Sequence, residues 1–222
     1  DPDIALRNLV DIIKALQSQG RDFRQVITDD EGLVRLVTVL GVSDEMGKLM
    51  RFRPELVMAA ASDSCESHLY NHAQRRAHVL EAVGADPADS SMPKASKPLA
   101  KAATALRQTY RKQLAAIMAQ DTTAEDPIEI QPRISQELSD LADAALEGAL
   151  AIARNEVDGS EHVRFAIIGM GKLGARELNY VSDVDLIYVV EPTDKDTNGM
   201  TLNRVGTKMA TTLQRVCQSV IM

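Results

Sequence analysis

Apolar residues recur at helical spacing over most of the first 157 positions. Leu6, Leu9, Val10, Ile13 and Leu16 step around one side of a helix over 3–20, and Gly20 stands where such a helix ends. A short helix is expected over 22–28 and another over 31–40, closing at Gly41. Ser43 is a good N-cap for a fourth, with Met46, Leu49 and Met50 on one face. Pro54 suits the first turn of a fifth, reaching Ala61. Met46, Met50 and Met58 read as core filler. Residues 62–83 read as a further helix ending at Gly84. Leu106, Tyr110, Leu114, Ile117 and Met118 mark the inward side of a long helix over 99–120. Ile134, Leu138, Leu141, Ala145 and Ile152 mark another, running to about Val157. Two stretches have loop composition: 85–98, with Pro87, Pro93 and Pro98, and 121–133, with Pro127 and Pro132.

After Asp158-Gly159-Ser160 the period changes. Phe165–Ile168 and Leu186–Val190 are short apolar runs bounded by turn residues, as strands are. Leu202, Val205, Met209, Leu213, Val216 and Val220 then form the apolar side of a last helix. The pattern predicts a mostly helical α+β chain: a helical region over 1–157, then a small sheet with helices over 158–222.

Composition sharpens this picture. Aromatic residues are only 3% and Trp is absent, a balance that favours helices over sheets, while 45% hydrophobic residues mark a globular chain. The net charge of −7 argues against a surface built for nucleic-acid phosphates. No apolar run approaches the length of a membrane span, and no signal peptide is evident. Cys65 and Cys217 are too far apart in sequence to suggest a disulfide framework, so reduced thiols in a cytoplasmic setting are expected.

Candidate chemistry converges on Val163–Val190. The first strand runs into Gly169-Met170-Gly171-Lys172-Leu173-Gly174, and the second is opened by Ser182-Asp183-Val184-Asp185. Glycines at 169, 171 and 174 let backbone amides approach a phosphate closely. In an extended chain Asp183 and Asp185 point the same way, roughly 6.5 Å apart along the backbone. Buried unpaired, two such carboxylates are costly, and a shared divalent cation is the usual remedy, magnesium suiting hard oxygen donors. A phosphate cradle beside a metal-holding pair is equipment for phosphoryl or nucleotidyl transfer. The same glycine spacing after a strand also fits a dinucleotide-binding βαβ unit, with Glu191 at the distance of a ribose-binding acid. Against that rival, 175–181 is too short and polar for a packed helix. Ser182 either donates to phosphate or closes a turn, and Lys172 either meets phosphate as a point charge or lies in solvent. Arg176 and Glu177 read as a structural pair or as solvated. Cys65, His68 and His72, with His78 nearby, have metal-like spacing, but an ordinary helix face explains them better.

The run Gly169 through Leu186 resembles the signature of the glutamine synthetase adenylyltransferase family, a branch of the polymerase-β-like nucleotidyltransferases. Glu177-Leu178-Asn179-Tyr180 with Ser182-Asp183-Val184-Asp185 is more similar to the N-terminal, AMP-removing half of its members than to the AMP-adding half. Gly41–Ser43 through Pro54–Leu56, and Arg107, Arg111 and Lys112 on the long helix, resemble upstream parts of the same family. The resemblance implies that 158–222 is a nucleotidyltransferase core. It implies phosphorolytic removal of AMP from a tyrosine of glutamine synthetase, releasing ADP; transfer of AMP from ATP, or a non-catalytic docking or nucleotide-binding role, are the alternatives. Asp183 and Asp185 would be the catalytic magnesium ligands, and Gly169, Gly171, Lys172, Gly174 and Ser182 the nucleotide and phosphate cradle. Glutamine synthetase would be the protein substrate, and a PII-type protein a regulator. The superfamily uses a third carboxylate on a later strand, and no Asp or Glu follows Asp196. A truncated core, inactive by itself, is therefore expected.

Overall fold

The computed structural model describes residues 1–61, 71–195 and 198–221. It divides into two compact units, residues 1–69 with 111–137, and residues 70–110 with 138–222. The expected division after residue 157 separates a helical region from a candidate catalytic core; compactness instead cuts within two long helices, at Tyr110 and at Glu137.

The first unit is helical. Asp1, Asp22, Asp29 and Ser43 each accept backbone N–H groups in the first turn of α1 (Pro2–Ser18), α2 (Phe23–Val26), α3 (Asp30–Val42) and α4 (Asp44–Phe52). Pro54 opens α5 (Pro54–Ala61). Gly41 does not end α3 as expected. It lacks the left-handed φ of a terminating glycine, and the helix runs on until Ser43, whose amide still bonds to Val39 while its hydroxyl caps α4. The core of this unit joins Ile12, Leu16, Leu36, Leu40, Met50 and Leu56 with Ala115 and Ala119. Met46 and Met50 are buried as expected, but Met58 is half exposed.

Two helices give residues to both units, α7 (Leu99–Thr123) and α8 (Pro127–Glu156). The expected loop over 121–133 therefore shrinks to 124–126. Asp126 accepts the amides of Ile128 and Glu129 and so caps α8 at Pro127, while Pro132 is carried inside the helix near its start.

The second unit begins with α6 (His72–Val83), closed by Gly84 in the left-handed conformation, as the sequence suggests. The part of this helix expected over 62–70 lies outside the described residues. The expected loop 85–98 is present and is tied down. Arg76 donates to the Pro87 and Asp89 carbonyls, Arg154 to that of Pro93, and Lys97 to that of Ala82. A Cβ on Gly148 would lie 2.5 Å from Val79 and 3.0 Å from Leu106, so α8 packs closely on α6 and on the start of α7.

A 3₁₀ turn (Ser160–His162) leads to β1 (Val163–Gly169), a short helical turn α9 (Gly171–Gly174), β2 (Leu186–Pro192) and α10 (Gly199–Ile221). β1 and β2 pair antiparallel, Val163 opposite Pro192 and Gly169 opposite Leu186. The sheet's inner face carries Phe165 and Tyr188, ring centroids 5.4 Å apart. Against it α10 buries Val205, Met209, Leu213 and Val216, as its apolar spacing predicts. Gly206 lets α10 come close, since a Cβ there would meet Val190 at 2.9 Å. The architecture is the mostly helical α+β class expected. No described helix is long and apolar enough to cross a membrane.

Candidate active site

The antiparallel register decides the site. Because Gly169 faces Leu186, the glycine turn leaving β1 and Asp185 entering β2 are forced to the same end of the sheet. The Met170 amide donates to the Asp185 carbonyl at 2.9 Å. Gly171 has a φ of +52°, and a Cβ there would lie 3.7 Å from Asp185 Oδ2. Gly174 approaches the backbone more closely still, its would-be Cβ 2.6 Å from the Gly169 carbonyl oxygen. Conformation calls for glycine at 171, and space calls for it at 174. A dinucleotide-binding βαβ unit needs parallel strands, so the antiparallel pairing removes that rival.

Exposure alternates through the segment that leads into β2. Asp183, Asp185, Ile187 and Val189 are exposed, while Val184, Leu186, Tyr188 and Val190 are half-buried. The two carboxylates thus lie on one side, as the extended spacing predicts. They lie in solvent rather than in an apolar interior, so the cost of burying them does not itself demand a cation here. Among the described residues neither carboxylate has a hydrogen-bond or ion-pair partner, and Lys172 is exposed with its ammonium paired to no carboxylate. Two free oxygen-donor groups beside a glycine turn are a donor set that fits magnesium.

Ser182 is engaged elsewhere. Its hydroxyl donates to Asn179 Oδ1 at 2.8 Å and accepts the Asn179 amide at 3.2 Å, closing the turn just before the carboxylates. That turn leaves Val181 almost fully exposed.

Sequence reasoning missed what holds the segment from 175 to 182. Arg176, expected to pair with Glu177 or to lie in solvent, instead bridges two carboxylates of α8, Asp140 and Asp143, the latter at 3.2 Å. Its φ of +61° is the only positive value among the described non-glycine residues. Two residues on, the buried Leu178 donates its amide to Ser139 Oγ at 3.4 Å. His72 Nδ1 lies 3.4 Å from Asp140. No short-range spacing links 72, 140 and 176, so no local pattern could have announced this cluster. Burial pushes the Asp143 carboxyl up, with Arg176 and His72 only partly opposing it. Cys65 and His68, weighed as partners of His72, lie outside the described residues. His72, Asp140 and Asp143 could offer ligand atoms to a metal, but the Arg176 guanidinium already supplies a cation to the two carboxylates. Burial also pushes the Cys217 thiol up to about 11, which leaves it a packing group rather than a nucleophile.

The family model for glutamate-ammonia ligase adenylyltransferase matches residues 33–221. A bifunctional glutamine synthetase adenylyltransferase/adenylyl-removing enzyme of Bifidobacterium longum (strain DJO10A) is 73% identical over 222 residues, 100% of this chain and 21% of the relative. Enzymes of the same description from Cutibacterium acnes and Mycolicibacterium smegmatis are 36% and 34% identical over 219 and 216 residues, covering 99% and 94% of this chain and 22% and 21% of the relatives. The chain spans about a fifth of the length of these curated relatives.

Proposed function

The chain belongs to the glutamate-ammonia ligase adenylyltransferase family, and we propose that it carries an AMP-removing centre acting on adenylylated glutamine synthetase. The observation that supports this most is the meeting of Gly171 and Asp185 at one end of an antiparallel strand pair, with Asp183 on the same side. The removing direction is supported by the wording of residues 177–185, which resembles the AMP-removing half.

In this reading an oxygen of inorganic phosphate forms a bond to the AMP phosphorus. The bond from that phosphorus to the tyrosine oxygen breaks, the tyrosine oxygen gains a proton, and ADP and free tyrosine leave. Asp183 and Asp185 would hold magnesium, which when bound neutralises charge on the phosphates. The backbone at Gly169, Gly171 and Gly174 would admit the phosphates closely, and the exposed Lys172 would add a positive charge from the rim. Ser182 would shape the turn through Asn179 rather than touch phosphate. A regulator of PII type and a cytoplasmic setting belong to the same proposal. The net charge of −7 supports a protein partner over a nucleic acid.

The test is to incubate the full-length protein carrying this chain with adenylylated glutamine synthetase, with and without inorganic phosphate. Phosphate-dependent ADP is expected. AMP addition from ATP that needs Asp183 and Asp185, without phosphate-dependent ADP, would reverse the assigned direction.

A further inference from the structure

We propose that Arg176 is a positioning residue: by bridging Asp140 and Asp143 on α8 it fixes the segment that joins the glycine turn to the carboxylate pair. This rests on the assignment of Asp183 and Asp185 above.

Residues 175–185 contain no helix or strand, so their placement depends on tethers. One end is tied to the glycine turn, where the Glu177 amide donates to the Lys172 carbonyl at 2.8 Å. The far end enters β2 through the Met170 to Asp185 bond. Between them, Arg176 and Leu178 reach one stretch of α8, Ser139 to Asp143. The Asp140 side chain is only 9% exposed and that of Asp143 33%, so the guanidinium meets a partly desolvated pair of anions.

The pairing makes a weak case as a stabilising device. Bringing two carboxylates three residues apart on a helix out of water works against the fold, and burial dominates at Asp143 despite the arginine. Arg176 also adopts a left-handed backbone that disfavours any residue with a Cβ. A contact with poor stability value that forces an unfavourable backbone is best accounted for by what it places. A guanidinium can meet two carboxylates at once through its fork, which an ammonium cannot do with the same geometry.

The experiment uses the full-length protein. Arg176→Gln is expected to lower kcat for phosphate-dependent ADP release by about 10–100-fold. KM for adenylylated glutamine synthetase should move less than about twofold, since Arg176 acts by placing the carboxylates rather than by holding the substrate. The magnesium concentration giving half the maximal rate should rise, and Arg176→Lys should recover part of the loss. Asp140→Asn/Asp143→Asn should match Arg176→Gln, and combining all three changes should lower the rate no further. Hydrogen exchange of the amides of residues 177–185 should quicken in Arg176→Gln, a readout independent of activity. Wild-type kcat and exchange in Arg176→Gln, beside an inactive Asp185→Asn, would overturn this inference and leave the proposed function standing. Full activity of Asp185→Asn would sink the proposed function instead. A uniform fall in thermal stability and kcat with no rescue by lysine would reduce Arg176 to a packing residue and overturn the inference.

Discussion

Asp185→Asn in the full-length protein should lower kcat for the proposed phosphate-dependent ADP release by about 10²–10³-fold, the usual loss when a group stabilising transition-state charge is removed. Stability should change by less than about 0.5 kcal/mol, as for surface substitutions away from special features. The two expectations come from one observation. The Asp185 carboxylate is exposed and has no partner among the described residues, so the fold does not lean on it. Its backbone, by contrast, holds the glycine turn through Met170, and asparagine keeps that bond. Steady-state rates and urea unfolding on the same preparation separate the two quantities. A large stability loss would show that the carboxylate is a structural anchor.

Gly174→Ala should damage both fold and activity. A Cβ at 174 would sit 2.6 Å from the Gly169 carbonyl oxygen, and that atom is backbone at the end of β1 and cannot swing aside. Relief requires the turn to open, at a cost of about 1–3 kcal/mol by the range for overpacked sites. Opening it moves Gly171 away from Asp185, and a shift of about 1 Å near reacting groups costs on the order of 10²-fold in rate. Gly20→Ala provides the contrast. Gly20 also has a positive φ, +71°, but nothing lies within 4 Å of its would-be Cβ. That variant should lose about 1–2 kcal/mol from backbone strain and keep its activity. If Gly174→Ala were as active as Gly20→Ala, the glycine turn would have no part in placing the site.

What was legible in the sequence followed physical periodicity. Leu6 to Leu16, Leu106 to Met118 and Leu202 to Val216 are long amphipathic runs, and each is a helix; the last two bury or half-bury the expected face, while the first is turned so that Ile12 is buried and Leu6 and Val10 are exposed. The strands at 163–169 and 186–192 were visible because β-branched residues stop abruptly at glycine on one side and at Ser-Asp on the other. Boundaries set by single residues misled where a neighbour overrode them. Gly41 continues a helix because Ser43 supplies the stop, and Pro132 is absorbed because Asp126 and Pro127 start α8 upstream. The candidate site was half legible. Asp183, Asp185 and the glycines follow from local spacing, and the antiparallel register brings them together. The Arg176 bridge to α8 spans residues 33 to 36 apart, and no local rule reaches that far.

The central claim is that Asp183 and Asp185 share a cation beside the glycine turn. Its most direct test is a binding titration of Mn²⁺, as a spectroscopic stand-in for magnesium, to the full-length protein in the presence of ADP. The wild-type protein should hold Mn²⁺, with the bound ion broadening the phosphorus resonances of protein-bound ADP, and Asp183→Asn/Asp185→Asn should lose that site while remaining folded. Undiminished Mn²⁺ binding with the same nucleotide broadening in the double variant would contradict the account.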